Sequence, residues 1–357
     1  MTPPLYDIAL SFLYRNRLRY SLAMMDHYGS AEAAWNAVHE PGKEAALQRA
    51  QQELAWIEAH GIRVWTTTDP DYPYRLNQCP DKPLVLYGKG NLQPSDGYIV
   101  SIVGTRRPTE RGKELVTALV RDLHERLENV TIVSGGAYGI DITAHRAAIE
   151  CGIPTIIIPA HGLDRIYPYQ HRPEAVASLT HGGLLTEFPS GVEPLAPYFL
   201  QRNRIIAGLA DAVVVAESRD RGGSLVTARM AGDYNRELFA FPGRPTDISS
   251  IGCNELIRKD KAHLINNADD LIDIMQWKTR NTPSQPVQTE IIGLRDDLNE
   301  KQQTILQKIQ EAEDGIHINH IVMETQLPYG EVSSELLLLE INGLIRALPG
   351  GIYRFVR

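Results

Sequence analysis

Apolar positions recur at helical spacing through the first sixty residues. Ile8, Leu10, Leu13, Leu18, Leu22 and Met25 lead to a Gly29-Ser30 break, after which Ala31-Glu32-Ala33-Ala34-Trp35 resumes the pattern. Residues 1–64 are expected to form a small helical domain. The pattern then changes. Pro70, Pro73, Pro80 and Pro83 predict an extended connector leading to an edge strand at Leu84-Val85-Leu86-Tyr87. Beyond it, short apolar runs at 98–103, 130–133, 155–158, 184–186, 212–215 and 238–241 are mostly separated by stretches long enough for a helix. Fully apolar runs of that length are what strands buried on both faces need, so residues 65–278 are expected to fold as a doubly wound, mainly parallel α/β sheet.

Residues 279–297 are polar and contain Thr282-Pro283-Ser284-Gln285-Pro286, which predicts a linker. The helical runs 298–310, 318–325 and 331–341, followed by apolar segments on either side of Pro349-Gly350-Gly351, predict a winged helix-turn-helix over 298–357. Its second turn helix, which in a DNA reader enters the major groove, carries Glu331, Glu335 and Glu340 and no Lys or Arg. Such a helix repels phosphate, so protein contact or a structural role is expected.

Composition narrows the class. The chain has 357 residues, 43% of them hydrophobic, and no apolar run approaches the roughly 18 residues of a spanning helix. Met1-Thr2-Pro3-Pro4 does not resemble a secretory signal, so a cytoplasmic, non-membrane protein is expected. Cys79, Cys151 and Cys253 are scattered and odd in number, which suggests buried thiols, not disulfides or a thiolate metal site. A net charge of −8 disfavours indiscriminate coating of nucleic acid but allows a local basic cleft.

Ligands of parallel α/β sheets bind where strand ends turn into helices. The first such loop, Gly104-Thr105-Arg106-Arg107, offers a close backbone approach, a hydroxyl and two cations ahead of a helix N-terminus. The next, Ser134-Gly135-Gly136-Ala137-Tyr138-Gly139, has a phosphate-cradling shape but is neither a dinucleotide fingerprint nor a Walker A loop. Ser134 is read there as an anion donor, not a nucleophile. Arg165 and Arg172 add cations after the 155–158 strand, and Arg221, Ser224 and Thr227 follow the 212–215 strand, where Ser224 also suits a helix cap. Arg202-Asn203-Arg204, followed by an apolar run, reads as a basic edge on a buried anchor, its planar guanidinium forks suited to phosphate. Asp141 and His145 are four apart on a predicted helix, a spacing compatible with a metal pair, yet without a third ligand they read as a helix-start network. His161, His171 and His181 follow no metal pattern. Neither cofactor nor metal is expected.

Taken together, these motifs resemble the DprA/Smf family of DNA-processing proteins. The resemblance rests on Ser101-Ile102-Val103-Gly104-Thr105-Arg106, on Ser134 to Asp141 with His145, on Gly162-Leu163-Asp164 with Tyr167-Pro168, on Leu184 to Pro189 and on Arg202 to Leu209. Gly223 to Ala228, Phe241-Pro242-Gly243 and Gly252 to Ile257 follow in the family's order, so the match spans about 98–275. It implies an extended Rossmann-like domain that binds single-stranded DNA, dimerises and recruits RecA recombinase to the strand during natural transformation, without catalysis. In that picture Arg106 and the amides and hydroxyl of Ser134, Gly135 and Gly136 meet phosphate, Arg165 or Arg172 extends the basic pocket, and Arg202 and Arg204 close it or anchor its wall. Phe199 corresponds to an aromatic that stacks on a base. Dimer and RecA contacts are implied around 252–274. Ala196 stands where the family often has a basic residue, and the turn Tyr14-Arg15-Asn16-Arg17-Leu18 lacks the glycines of a backbone-gripping helical hairpin, so the first domain is expected to pack or scaffold.

The rival class is an enzyme cleaving nucleoside monophosphates. Such enzymes place a catalytic glutamate after a glycine loop, whereas Glu217 here precedes Gly222-Gly223.

Overall fold

The computed structural model describes residues 4–15, 17–280, 298–312, 315–348 and 350–356. The linker expected at 279–297 lies almost wholly outside them. The chain divides into two compact units, Met1–Ala268 and Asp269–Arg357.

In the first unit, four helices, α1 (Leu5–Leu13), α2 (Leu18–Tyr28), α3 (Ala31–Ala37) and α4 (Lys43–His60), precede strands β1 (Arg63–Thr66) and β2 (Val85–Gly90), with the short α5 (Tyr74–Asn77) between them. Ile8, Leu10, Ala34, Trp35, Ala50 and Ile57 form one core with Val85 and Tyr87 of β2, so the helices close over the end of the sheet. Next come β3 (Tyr98–Val103), α6 (Glu110–Arg126), β4 (Val130–Ser134), α7 (Ile140–Cys151), β5 (Thr155–Ile157), α8 (Arg172–Ser178) and β6 (Gly182–Thr186). After these follow α9 (Ala196–Leu209), β7 (Ala212–Val215), α10 (Gly223–Asp233), β8 (Glu237–Ala240), α11 (Ile251–Arg258) and β9 (His263–Leu264).

The nine strands lie in the order β1-β2-β6-β5-β4-β3-β7-β8-β9, parallel from β6 to β9 and antiparallel where β2 joins β1 and β6. The chain winds outward from β3 to β6 and returns to the other side of β3 as β7, so the topological switch point lies between β3 and β7. This is the expected α/β architecture with one correction. The 84–87 run is not an edge strand, because Arg63–Thr66, which the helical reading passed over, pairs outside it. The connector between the two is stapled to the sheet by Arg75, whose Nε donates to Asp211 Oδ1 at 2.6 Å and whose Nη2 donates to Gly97 O at 2.7 Å.

In the second unit, α12 (Ala268–Met275) is followed by α13 (Glu300–Glu311), β10 (Ile316–His317), α14 (Ile318–Thr325), α15 (Tyr329–Ile341), β11 (Ile345–Leu348) and β12 (Ile352–Phe355). A capping box starts α13, with Asn299 Oδ1 accepting from the Gln302 amide at 2.8 Å and Gln302 Oε1 accepting from the Asn299 amide at 3.2 Å. The strands form a wing in the order β10-β12-β11. The acidic character expected of α15 is spent inside the domain. Glu331 pairs with Lys301, Glu335 accepts from Gln302 at 2.8 Å, and Glu340 accepts from the Ala347 amide at 2.9 Å. Leu337, Leu338 and Ile341 are exposed instead, so this helix presents apolar carbon where a DNA reader presents donors.

Candidate nucleic-acid interface

The loops after β3, β4, β5, β6 and β7 all lie at the carboxyl edge of the sheet, as parallel topology requires. The first two interlock. Gly139 has a positive φ, and a Cβ there would lie 2.3 Å from Thr105 O, while the Ile140 amide donates to that same oxygen at 3.2 Å. Thr109 caps α6, its Oγ1 accepting from the Gly112 amide at 3.1 Å. The buried carboxylate of Glu217 accepts from the Thr109 hydroxyl at 2.5 Å and the Thr109 amide at 2.9 Å. Helix start and acidic side chain thus fill the switch-point crevice, and the exposed chemistry lies to one side of it.

There Arg106 stands over the ring of Phe199, 5.4 Å from its centroid, and Tyr167 meets the same ring edge-on at 6.0 Å. Phe199 is half-buried on the first turns of α9, and Tyr167 is 52% exposed. Arg202 also lies over this ring, 6.0 Å from its centroid, so the ring is held by three neighbours and remains partly exposed. Tyr138 and Tyr169 are also exposed on adjoining loops. Tyr138 packs on His171 at 4.8 Å, and His171 Nδ1 hydrogen-bonds Gly136 O at 2.8 Å. His161 holds the third loop: its Nε2 accepts from the Tyr167 amide at 3.2 Å and its Nδ1 donates to Gly162 O at 2.8 Å. Burial pushes its pKa down, in keeping with a neutral ring acting as a latch.

Arg202-Asn203-Arg204 departs from the solvent-facing basic edge expected of it. The three are 3%, 8% and 5% exposed. Arg202 Nη1 donates to Gly135 O at 2.6 Å and to Ile158 O, tying the ends of β4 and β5, and its guanidinium lies beside the Asp141 carboxylate. A Cβ on Gly135 would lie 2.4 Å from Nη1, so only glycine admits this brace. Burial lowers the Arg202 pKa to about 10, with Asp141 opposing the shift. Arg204 pairs with Glu187 and donates to Asp81 O, and Asn203 Nδ2 donates to Gly223 O at 3.3 Å. These residues build the wall behind the edge. Their planar forks serve backbone carbonyls and carboxylates, because helix α9 turns that face inward.

Other side chains are similarly occupied. Ser134 Oγ is buried and donates to Ile102 O at 2.6 Å. Ser224 donates to Ser218 Oγ at 3.0 Å and does not cap α10, whose N-cap is Gly222, and Thr227 Oγ1 returns to Gly223 O at 3.2 Å. Arg165 is paired with Asp164 at 2.9 Å and Glu193 at 3.2 Å. Asp141 and His145 are both buried but hydrogen-bond separately: Asp141 Oδ2 accepts from the Ala137 amide at 3.4 Å, and His145 Nδ1 meets Thr155 Oγ1 at 2.7 Å. Thr105 accepts from the Arg107 amide at 3.2 Å through its hydroxyl. Among the described residues, Arg106, Arg107, Arg172 and Arg221 are the expected site arginines that face solvent without a carboxylate partner. Of these, only Arg106 is shown against Phe199. The tyrosines 138, 167 and 169 were missed as site residues. Their signal in the sequence is three aromatics close to strand ends, outside the apolar runs that form the sheet.

The edge therefore places a solvent-facing guanidinium beside half-buried rings on a mainly parallel α/β domain, and a winged-helix domain follows it in the chain. Residues 63–276 match the family model of DNA recombination-mediator protein A, and 294–351 match that of the DprA winged helix domain. The chain belongs to the DprA/Smf family of DNA recombination mediators. Protein Smf of Escherichia coli is 33% identical over 308 residues, covering 86% of this chain and 81% of that protein. DNA processing protein A of Streptococcus pneumoniae, solved by X-ray crystallography, is similar with a TM-score of 0.66 at 30% identity, over 76% of this chain and 98% of that one. DNA processing protein A of Helicobacter pylori, described structurally for its single-stranded DNA binding mode, is similar with a TM-score of 0.54 at 32% identity, over 59% and 94%. No helix among the described residues is long and apolar enough to cross a membrane.

Proposed function

We propose that this chain binds single-stranded DNA at the carboxyl edge of its sheet, protects it, and helps place RecA recombinase on it, acting as a cytoplasmic homodimer in natural transformation or related DNA processing. The observation that carries the reading is the Arg106–Phe199–Tyr167 cluster. A half-buried ring flanked by Arg106 and, at 6.0 Å from its centroid, by Arg202 supports a sequence-tolerant stacking platform, and the exposed Arg106 guanidinium beside it supports a phosphate contact. The exposed Arg107, Arg172 and Arg221 extend the positive edge, while the space beside Gly104, Gly135 and Gly136 is taken by Ile140, Arg202 and Ile157, so these glycines serve the packing of the loops and not the approach of a ligand. Residues 252–274 are the proposed region of dimer and RecA contact. Binding, not bond-making, fits the buried and saturated Glu217, which as a helix-capping group is poorly placed for nucleotide cleavage.

Titration with single- and double-stranded oligonucleotides at several salt concentrations, alongside a sizing measurement, tests ligand and assembly together. Arg106→Ala is expected to weaken single-strand binding for every sequence and lower the slope of log K against log salt by about 0.7. An unchanged slope and affinity would remove Arg106 from the interface. Phe199→Ala is expected to cost about 1–3 kcal/mol of binding, roughly 5- to 150-fold, with the salt slope preserved. RecA placement is checked separately, by RecA-dependent strand exchange on covered single strands. Free base released from a nucleoside monophosphate would instead favour the enzymatic reading.

A further inference from the structure

The first helices of the chain carry a second basic and aromatic surface, and one contact joins it to the sheet edge. Arg15 lies over the ring of Tyr198, 5.0 Å from its centroid. Tyr198 immediately precedes Phe199 on α9 and packs on Phe188 at 4.9 Å. The exposed guanidinium of Arg15 therefore stands one residue along the helix from the proposed stacking ring. The first helices also border a cavity of about 500 Å³, with Tyr14, Tyr20, His27, Tyr28 and Glu40 among its lining residues. That volume falls within the range of clefts that take small ligands or single ligand groups, about 300–1,000 Å³.

The rings are differently held. Tyr14 is buried, its hydroxyl donating to Glu40 at 3.2 Å and its ring meeting Tyr20 edge-on at 5.0 Å. Tyr20 and Tyr28 are 49% and 42% exposed. Arg17, at the same rim, reaches Glu40 at 3.9 Å and is itself largely exposed, and Arg19 is exposed beside it. An aromatic cage with one carboxylate also suits a cation. Here that occupant is disfavoured, because Glu40 is already engaged by Tyr14 and Arg17, and Arg15 and Arg19 are exposed on the same short stretch of chain. An anionic chain with flat bases fits both features.

Resting on the sheet-edge reading above, we propose that a bound single strand continues from Phe199 over the N-terminal helices, with phosphates on Arg15 and Arg17 and a base against Tyr20 in the cavity. The first domain then sets the length of strand the protein covers, in addition to the packing role read from its sequence.

Oligothymidylates of about 6 and about 20 nucleotides, one near the lower end of the usual site size of a single-strand binding module and one beyond its upper end, are titrated against the full chain. The unaltered chain is expected to prefer the longer oligomer. The double variant Arg15→Ala/Arg17→Ala is expected to lose about tenfold on the longer one, with the salt slope lowered by about 1.4, and to bind the shorter one as before. Tyr20→Ala is expected to lose about fivefold or more on the longer oligomer at unchanged salt slope. The inference is overturned if both variants match the unaltered chain on the longer oligomer, or if either loses equally on both lengths. Absence of binding by the unaltered chain to both oligomers overturns the sheet-edge reading itself, and this extension with it.

Discussion

Arg202→Met is expected to destabilise the first unit by about 3–5 kcal/mol, the usual effect of deleting one member of a buried charged network. Three consequences act together. The Asp141 carboxylate loses the positive charge beside it, in surroundings whose burial already pushes its pKa up. Gly135 O and Ile158 O lose their donor at the ends of β4 and β5. The space that the guanidinium fills beside Gly135 also loses its planar group. Urea denaturation followed by circular dichroism checks this. A midpoint shift equivalent to less than about 1 kcal/mol, the scale of a surface pair, would show that Arg202 is not a brace. The companion variant Arg106→Ala is expected to leave that midpoint unchanged while affecting binding. The pair of measurements separates wall from ligand contact, a distinction that residue type alone does not make.

A second large effect concerns acid. His145 is wholly buried, and desolvation, aided by the nearby Arg202 charge, lowers its pKa from 6.5 to about 3. Thr155 Oγ1 donates to Ile132 O at 3.0 Å, so its lone pairs accept the Nδ1 proton of a neutral His145. The unfolded chain takes up a proton near pH 6.5 that the folded chain refuses until about pH 3. Stability from the neutral ring is therefore complete above pH 6.5 and is lost as pH falls toward 3, by about 1.4 kcal/mol per unit and roughly 3–5 kcal/mol in all. Buried carboxyls act oppositely over part of this range. Burial raises Asp7 to about 6 and raises Asp141, and each then favours the folded state as pH falls through its raised value. The clean measurement is thus the difference in unfolding free energy between the wild type and His145→Gln. That difference is expected to shift in favour of the variant from pH 6.5 downward. A pH-independent difference would mean that the His145 ring is readily protonated in the folded state.

These two side chains also show where the site's chemistry comes from. Its carboxyl edge is made rigid by groups that never reach solvent: Arg202 between two strand ends, His145 against Thr155, and Glu217 on the first turn of α6. On the proposed function, a rigid edge presents Arg106, Phe199 and Tyr167 as a platform ordered in advance, which loses less entropy on binding.

The strand runs at 98–103, 130–133 and 212–215, the helix after Thr109 and the three-helix wing were all legible in the chain, because period and apolar run length are local properties. So was the family, through loops whose order along the sequence survives folding. Burial of individual polar residues was not. Arg202, Arg204, Ser134 and Ser224 have the same side chains as surface donors, and nothing nearby in sequence marks their partners, which lie 67, 17, 32 and 6 residues away. The partners of the α15 glutamates were hidden for the same reason: Glu331 and Glu335 meet Lys301 and Gln302 across the domain, and Leu337 and Leu338 face outward.

By itself, then, the sequence determined the kinds of element, the parallel sheet and the set of loops at its carboxyl edge, since each follows from local spacing and chain connectivity. Only the tertiary structure decided which arginine faces solvent and which is a strut, that Phe199 is shared by Arg106 and Tyr167, and that Arg15 of the first helices comes to rest on Tyr198. The physical reason is that exposure and pairing depend on what crosses over a side chain from elsewhere in the chain, and a guanidinium is equally suited to a phosphate and to a backbone carbonyl until packing leaves it one of them.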